Sequence, residues 1–292
     1  MSKIDQAPQH AALPGGGIQY YDAGNGPCVM LIHGSGPGVN AWANYRDNLP
    51  VFAAHFRCIM PDLPGYGGSD ARDGDPVQSC VAACVELLDA LDISRVHIIG
   101  NSLGGIVGSY IAAQYSERVV SFTTIGGIGL NLFSAFPGEG LNLLTAFTEQ
   151  PSRENLRRWL ASMVYDQAII TDELLEARYA AATEPVTLAT TRALYSRSAI
   201  AAIADYRRGE NAAQVVAHLP SIQAPTLITW GRDDRVSPLD ISLLPMRMIP
   251  NAELHVFPNC GHWAMIECKA RFESLAIDFI NDAERRCAQV QP

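Results

Sequence analysis

Short apolar runs recur along the chain and break at Gly, Asp or His. They are CVMLIH (28–33), RCIMPD (57–62), VHIIGN (96–101), VVSFTTI (119–125), PTLITWG (225–231) and ELHVF (253–257). Each is brief, carries β-branched residues and is apolar at successive positions, the pattern of a strand buried on both faces. Between these runs, apolar positions recur at helical spacing over 77–91, 103–115, 239–248 and 270–283. Such alternation predicts a mainly parallel sheet covered by helices on both sides. It stops over 131–215, where the pattern is helical throughout. SRENLRRWLASMVY opens on Ser152 with Glu154 two positions on, and TDELLEARYAAA opens on Thr171 with an acidic first turn. Both are helix starts. A Gly-rich stretch, GGIGLNLFSAFPGEG (126–140), leads into this block. The expected organisation is an α/β core from 1–130 and 216–292 with a helical cap from 131–215. No internal repeat or low-complexity tract stands out.

Bulk properties narrow the function classes. The chain has 292 residues, 48% hydrophobic and 17% charged, the composition of an ordinary globular enzyme with room for a substantial core. A net charge of −9 and the lack of any basic block argue against nucleic acid or an anionic membrane as partner. MSKIDQAPQH has no apolar core of a signal peptide, and no run of about 18 apolar residues offers a membrane span. Seven scattered cysteines without a C-x-x-C read as reduced thiols in a cytoplasm. Cys80 and Cys84 could form one edge of a metal site, but no histidine or cysteine pair completes it, so no metal is expected.

The candidate chemistry begins at IIGNSLGG (98–105). Ser102 follows a predicted strand and precedes a predicted helix in the pattern Gly-x-Ser-x-Gly. A serine there is either a helix N-cap or a nucleophile at the tip of a sharp turn, with small neighbours because the backbones come close. A nucleophile needs a base and the base an orienting acid, in the chain order Ser, Asp, His for this arrangement. WGRDDRVSP follows a later strand and offers Asp233 and Asp234; NCGHWAMIE follows the last and offers His262. Asp234 is expected to face His262, with Asp233 a solvated or turn-capping carboxylate. His218 and His255 have weaker claims, one lying outside a strand-end loop and the other inside a strand. HGSGPG (33–38) follows the first strong strand, and its glycines let backbone N–H groups turn toward the serine. The expected oxyanion donors are the N–H groups of Ser35 and Leu103. A dinucleotide loop is a poor alternative, since Pro37 follows Gly36 and Val39 stands where a third glycine belongs.

With these residues assembled, the chain resembles the α/β-hydrolase superfamily, and within it the meta-cleavage-product hydrolases. The motifs carrying the resemblance are HGSGPG with WANY behind it, GNSLGG, YDQAIIT, WGRDDRVSPLD and HVFPNCGHWAMIE. The resemblance implies a mostly parallel central sheet with an inserted helical cap, no cofactor, and hydrolysis of a carbon–carbon bond in a 2-hydroxy-6-oxo-dienoate. It implies a triad of Ser102, Asp234 and His262, with Gly34, Asn44, Asn101 and Trp263 on the substrate. It also implies a cap arginine at the substrate's carboxylate and 2-oxo group, for which Arg192 is the choice and Arg178 the competitor. Members of this family form dimers or tetramers. The cap's Phe133, Phe136, Leu141, Phe147 and Met163 suggest an apolar pocket for the C6 substituent. A carboxylesterase or lactonase with the same triad is the alternative. A non-catalytic binding protein fits poorly with an intact triad, and a dehalogenase or epoxide hydrolase would need a carboxylate at position 102.

Overall fold

The computed structural model describes residues 7–209 and 211–290; Met1–Gln6, part of the stretch expected not to be a signal peptide, lie outside them. Eight strands form one sheet: β1 (Gln9–Ala11), β2 (Ile18–Ala23), β3 (Cys28–Ile32), β4 (Arg57–Pro61), β5 (Val96–Asn101), β6 (Val119–Ile125), β7 (Thr226–Gly231) and β8 (Ala252–Phe257). Their spatial order is β1-β2-β4-β3-β5-β6-β7-β8. From β4 to β8 every pairing is parallel, while β1 and β2 join antiparallel at one edge. That edge pair is absent from the apolar pattern. Gln9–Ala11 is largely exposed and β2 mixes buried Ile18, Tyr20 and Tyr21 with Gln19 and Asp22.

Alternate residues of the parallel strands feed two cores, as a two-residue period requires. Met30, Ile32 and Ile98 pack with Cys84, Leu87 and Val107 on one face. Val29, Leu31 and Ile99 pack with Tyr45, Phe52 and Phe272 on the other. The first face is covered by α3 (Pro76–Ala90) and α4 (Leu103–Gln114). The second is covered by α1 (Ala41–Tyr45), α2 (Leu49–Phe52) and α12 (Lys269–Val290). The helix expected over 239–248 is divided into a 3-10 turn, Leu239–Ser242, and α10, Leu243–Met248. Pro245 has no N–H to give the carbonyl of Ile241, so one regular helix cannot run through.

Among the described residues, five α-helices lie between β6 and β7: α5 (Glu139–Glu149), α6 (Arg153–Met163), α7 (Asp172–Ala182), α8 (Pro185–Tyr195) and α9 (Arg197–Arg208). Ser152 and Thr171 cap α6 and α7 through their side chains, as the sequence suggested. The intervening chain leaves β6 and β7 as neighbours in the sheet. Its lead-in is fastened to the core, since one carboxylate oxygen of Asp240 accepts the N–H groups of Leu132, Phe133 and Ser134 at 2.8, 2.9 and 3.1 Å. The last short helix, α11 (Ala264–Glu267), follows the loop after β8.

Candidate active site

The carboxyl ends of β5, β7 and β8 bring Ser102, Asp234 and His262 to one edge of the sheet. Ser102 sits between β5 and α4 with φ 53° and ψ −114°, a left-handed conformation that a non-glycine residue adopts only under constraint. Its side chain makes no capping hydrogen bond to α4. The turn is tight enough to demand its glycines: a Cβ on Gly100 would lie 2.2 Å from the carbonyl oxygen of Gly104, and one on Gly104 would lie 2.1 Å from that of Ile32. The backbone conformation of Ser102 is thus set by packing and not by a side-chain cap on α4.

His262 Nδ1 and Asp234 Oδ2 are 2.7 Å apart, with both side chains almost fully buried. The other Asp234 oxygen accepts the N–H groups of Val236 and Ser237, each at 2.8 Å. The carboxylate is thereby fixed and holds the imidazole by Nδ1, leaving Nε2 for proton transfer. Asp233 turns away and pairs with Arg232 at 3.2 Å. His218 and His255 stand apart from this group. His218 stacks on Tyr110 and shares a 2.9 Å hydrogen bond with Ser109, and burial lowers its pKa to about 4. His255 lies within β8 against Phe257.

Ser102 and His262 open onto a cavity of about 220 Å³, walled by Gly34, Ser35, Asn44, Asn101, Leu103 and Trp263 from the core. Leu103 is the first residue of α4, so its N–H has no acceptor within the helix and lies at the positive end of the helix dipole. Ser35 is held by two tyrosines: its Oγ meets Tyr195 Oη, and its carbonyl accepts from Tyr66 Oη at 3.3 Å. Gly34 comes so close that a Cβ there would lie 3.3 Å from Ser102 Cβ. Buried His33 braces this loop from beneath, contacting its own neighbour's carbonyl, Gly34 O, through Nδ1 at 2.5 Å and accepting the Leu63 N–H on Nε2 at 2.9 Å. Asn101 donates to the Ile125 carbonyl at 3.0 Å.

Of the two cap arginines the sequence offered, Arg178 lines this cavity and Arg192 does not. Arg192 is exposed on α8 and its Nε donates to the Thr148 carbonyl at 2.9 Å. The reason is helical phase: α8 buries Thr187 and Thr191, leaving position 192 off the inward face. On α7 the inward face is Leu175, Arg178 and Ala182. Arg178 is 4% exposed, its guanidinium carbon stands 5.3 Å from the Trp263 ring centre, and burial lowers its pKa to about 10, with Arg46 adding to the fall. Trp159, from α6, meets the Trp263 ring edge-on at 6.5 Å. Three buried donors on this wall, Arg178 Nη1, Asn44 Nδ2 and Trp159 Nε1, have no hydrogen-bond partner among the described residues. Of the cap's apolar residues, Phe136, Leu141 and Met163 line the cavity, whereas Phe147 is in the core and Phe133 is 84% exposed. Trp159 and Tyr195 belong to no motif that would have singled them out.

No helix among the described residues is long and apolar enough to cross a membrane, and no cluster of three or more His, Cys, Asp or Glu there could hold a metal ion. The family model for the alpha/beta hydrolase fold matches residues 27–268. A 2-hydroxy-6-oxo-6-phenylhexa-2,4-dienoate hydrolase of Burkholderia cepacia is 40% identical, with 90% of this chain and 91% of the relative aligned. A 2-hydroxy-6-oxononadienedioate/2-hydroxy-6-oxononatrienedioate hydrolase of Comamonas testosteroni is 37% identical over 90% and 91% of the two chains. Among solved structures, a serine-to-alanine variant of a meta-cleavage product hydrolase from Pseudomonas fluorescens IP01, complexed with acetates, superposes with a TM-score of 0.84 at 35% identity, covering 94% of this chain and 98% of that one.

Proposed function

The chain belongs to the α/β-hydrolase family and, within it, to the meta-cleavage-product hydrolases, and we propose that it hydrolyses the C5–C6 bond of a 2-hydroxy-6-oxo-hexa-2,4-dienoate through Ser102, His262 and Asp234. The observation that carries this reading is the set of buried, unpartnered donors on Arg178, Asn44 and Trp159 facing the cavity beside Ser102. Leaving such donors unpaired is unfavourable, and a carboxylate with an adjacent oxygen would satisfy them. A simple ester presents no second polar end.

Water alone does not break a bond between a ketone and an ordinary carbon, because the departing carbanion is too basic. Shifting the dienol to its keto form changes that, since the fragment then leaves as a stabilised enolate. In this reading Arg178 and Asn44 hold the carboxylate end while negative charge moves through the dienoate. His262 moves the proton, oriented by Asp234. Ser102 attacks the C6 carbonyl, and the N–H groups of Ser35 and Leu103 receive the oxyanion. Over the full cycle the hydroxyl of water ends on C6 and its proton on C5, giving a carboxylic acid and a 2-hydroxydienoate. No cofactor or metal enters these steps. All seven cysteines are free, which goes with a cytoplasmic setting, and an assembly of two or four copies goes with the resemblance.

The test is a panel of dienol substrates followed by loss of their visible absorbance, alongside p-nitrophenyl esters, with Ser102→Ala as the blank. The reading expects turnover of the dienols well above that of the esters. Esters turned over and dienols ignored would make the protein a carboxylesterase.

A further inference from the structure

A second cavity, of about 490 Å³, adjoins the one at Ser102. The two share Val77, Ile106, Ile203 and Arg207, together with Gly127 and Gly129, which place no side chain between them. Both glycines are demanded by close backbone approach. A Cβ on Gly127 would lie 2.2 Å from the Ser102 carbonyl oxygen, and one on Gly129 would lie 2.3 Å from that of Ile241. Helix α9 borders both spaces: Ile200, Ile203 and Arg207 line the first, and Ala202, Ile203, Tyr206 and Arg207 line the second. The two differ in their contact with solvent. None of the described residues lining the Ser102 cavity is exposed, whereas the second is bordered by exposed Asp75, Gln78, Ala202, Tyr206 and Gln214. Arg207 stands where they meet. Its guanidinium carbon lies 4.3 Å from the Phe136 ring centre and Nη1 reaches Asn131 Oδ1 at 3.3 Å. No carboxylate among the described residues pairs with it; Asp205 reaches Arg208 at 3.9 Å instead. Asp75, on the exposed side, is engaged as the cap of α3, accepting the Gln78 N–H at 2.8 Å.

We infer that the second cavity is the passage between solvent and Ser102, entered by the dienoate and left by both carboxylate products, with Arg207 receiving each carboxylate in transit. The inference rests on the carbon–carbon hydrolase reading above. Substrate and products are all anions, and a chain with net charge −9 repels them at long range. An unpaired guanidinium at the junction reverses that repulsion locally, and its planar fork suits a carboxylate. The ring stack of Tyr110 on His218 forms part of the same wall. With its pKa lowered by burial to about 4, His218 is neutral at pH 7 and offers no charge to hold the cargo. Such a passage leaves the bond-breaking steps alone and sets the rates of arrival and release.

Binding kinetics in the Ser102→Ala protein separate passage from chemistry. Trp159 and Trp263 line the catalytic cavity, so arrival of a dienol with a phenyl group on C6 is followed as quenching of their fluorescence after rapid mixing. Ala202→Phe narrows the second cavity from a position that does not line the first, and Gln78→Phe does so from α3. Ala201→Phe, exposed on the same helix and lining neither, is the control. The Ala202→Phe/Gln78→Phe protein should show association and dissociation rates both lowered by about tenfold or more, with Kd within about twofold, because an obstructed route changes rates and not the bound state. Arg207→Met should lower the association rate by about fivefold and flatten its dependence on salt. Unchanged rates in the doubly substituted protein, or an equal loss in Ala201→Phe, overturn the inference and leave the hydrolase reading intact. So does a Kd weakened about tenfold with an unchanged association rate, which would make the second cavity a binding subsite. A dienol that fails to bind the Ser102→Ala protein sinks the hydrolase reading and the passage with it.

Discussion

Replacing Arg178 with methionine should raise stability while destroying activity. The guanidinium is 4% exposed, and burial with Arg46 holds its pKa at about 10, well below the usual guanidinium value. At 1.36 kcal/mol per unit, this places a penalty of about 3 kcal/mol on the folded state. The stacking over Trp263 offsets about 1 kcal/mol of it. A flexible apolar side chain of similar reach fills the same space, so the variant should gain about 2 kcal/mol, or roughly 4 °C in melting temperature for a chain of this size. The sign with pH is fixed. Below pH 10 the arginine is charged in both folded and unfolded chains, and the penalty is fully present. Above pH 10 the folded protein sheds its proton before the unfolded chain does, so wild-type stability rises and the advantage of the variant shrinks. Activity moves the other way. Losing one side of a buried charge pair with the substrate carboxylate removes about 3 kcal/mol of transition-state binding, roughly a hundredfold in kcat/KM. The measurements are thermal melts at pH 7 and the decay of dienol absorbance. A variant that melts below the wild type and keeps a third or more of its kcat/KM refutes the picture of Arg178 as an unpaired cation kept for substrate.

Three further outcomes follow from the site. Ser102→Ala should lower kcat by about 10³-fold or more with an unchanged melting curve, and a tenth of wild-type turnover in the pure variant would remove the serine from the mechanism. Asp234→Asn should mis-set the His262 tautomer and cost about 10⁴-fold, whereas Asp233→Asn, which only loses Arg232, should cost far less; the opposite ranking shifts the acid by one residue. Because burial lowers the His218 pKa from 6.5 to about 4, the unfolded chain takes up a proton first as pH falls through that window, so acid should remove about 2 kcal/mol of stability after allowing for partial exposure. His218→Gln should flatten this loss in urea melts at pH 7 and pH 4.5, and parallel losses in both proteins would assign the acid sensitivity elsewhere.

The parallel strands were legible because burial on both faces makes them continuously apolar, and β5 and β6 fall on the residues the pattern marked, 96–101 and 119–125. The antiparallel edge was not, since one flank of β2 faces polar partners such as the Arg57–Asp22 pair. That Ser102, Asp234 and His262 lie at one edge of the sheet was readable from strand ends, where chain direction alone brings separated loops together. The cap was harder. Helices there were evident, yet a local likeness chose Arg192, one position away from the inward face. Helical phase carried the better signal: Leu175, Arg178 and Ala182 on α7, and Ile200, Ile203, Ala204 and Arg207 on α9, each place one arginine on an apolar stripe. Trp159 and Tyr195 gave no such sign, because buried aromatics are the ordinary content of a core.

The insertion between β6 and β7 also governs how the chain acquires its site. Residues 126–225 separate two strands that pair directly, through Phe122 with Thr226 and Ile125 with Thr229. Closing a flexible loop of that length costs about 4 kcal/mol in chain entropy, against about 2.7 kcal/mol for the 20-residue connection from β7 to β8. Ser102 stands on one side of this seam, Asp234 and His262 on the other. Two partial sheets can therefore form, with their helices, before Ser102 meets Asp234 and His262. On refolding, turnover should return after the helical signal has recovered, making enzyme activity the reporter of the last long-range pairing in the sheet.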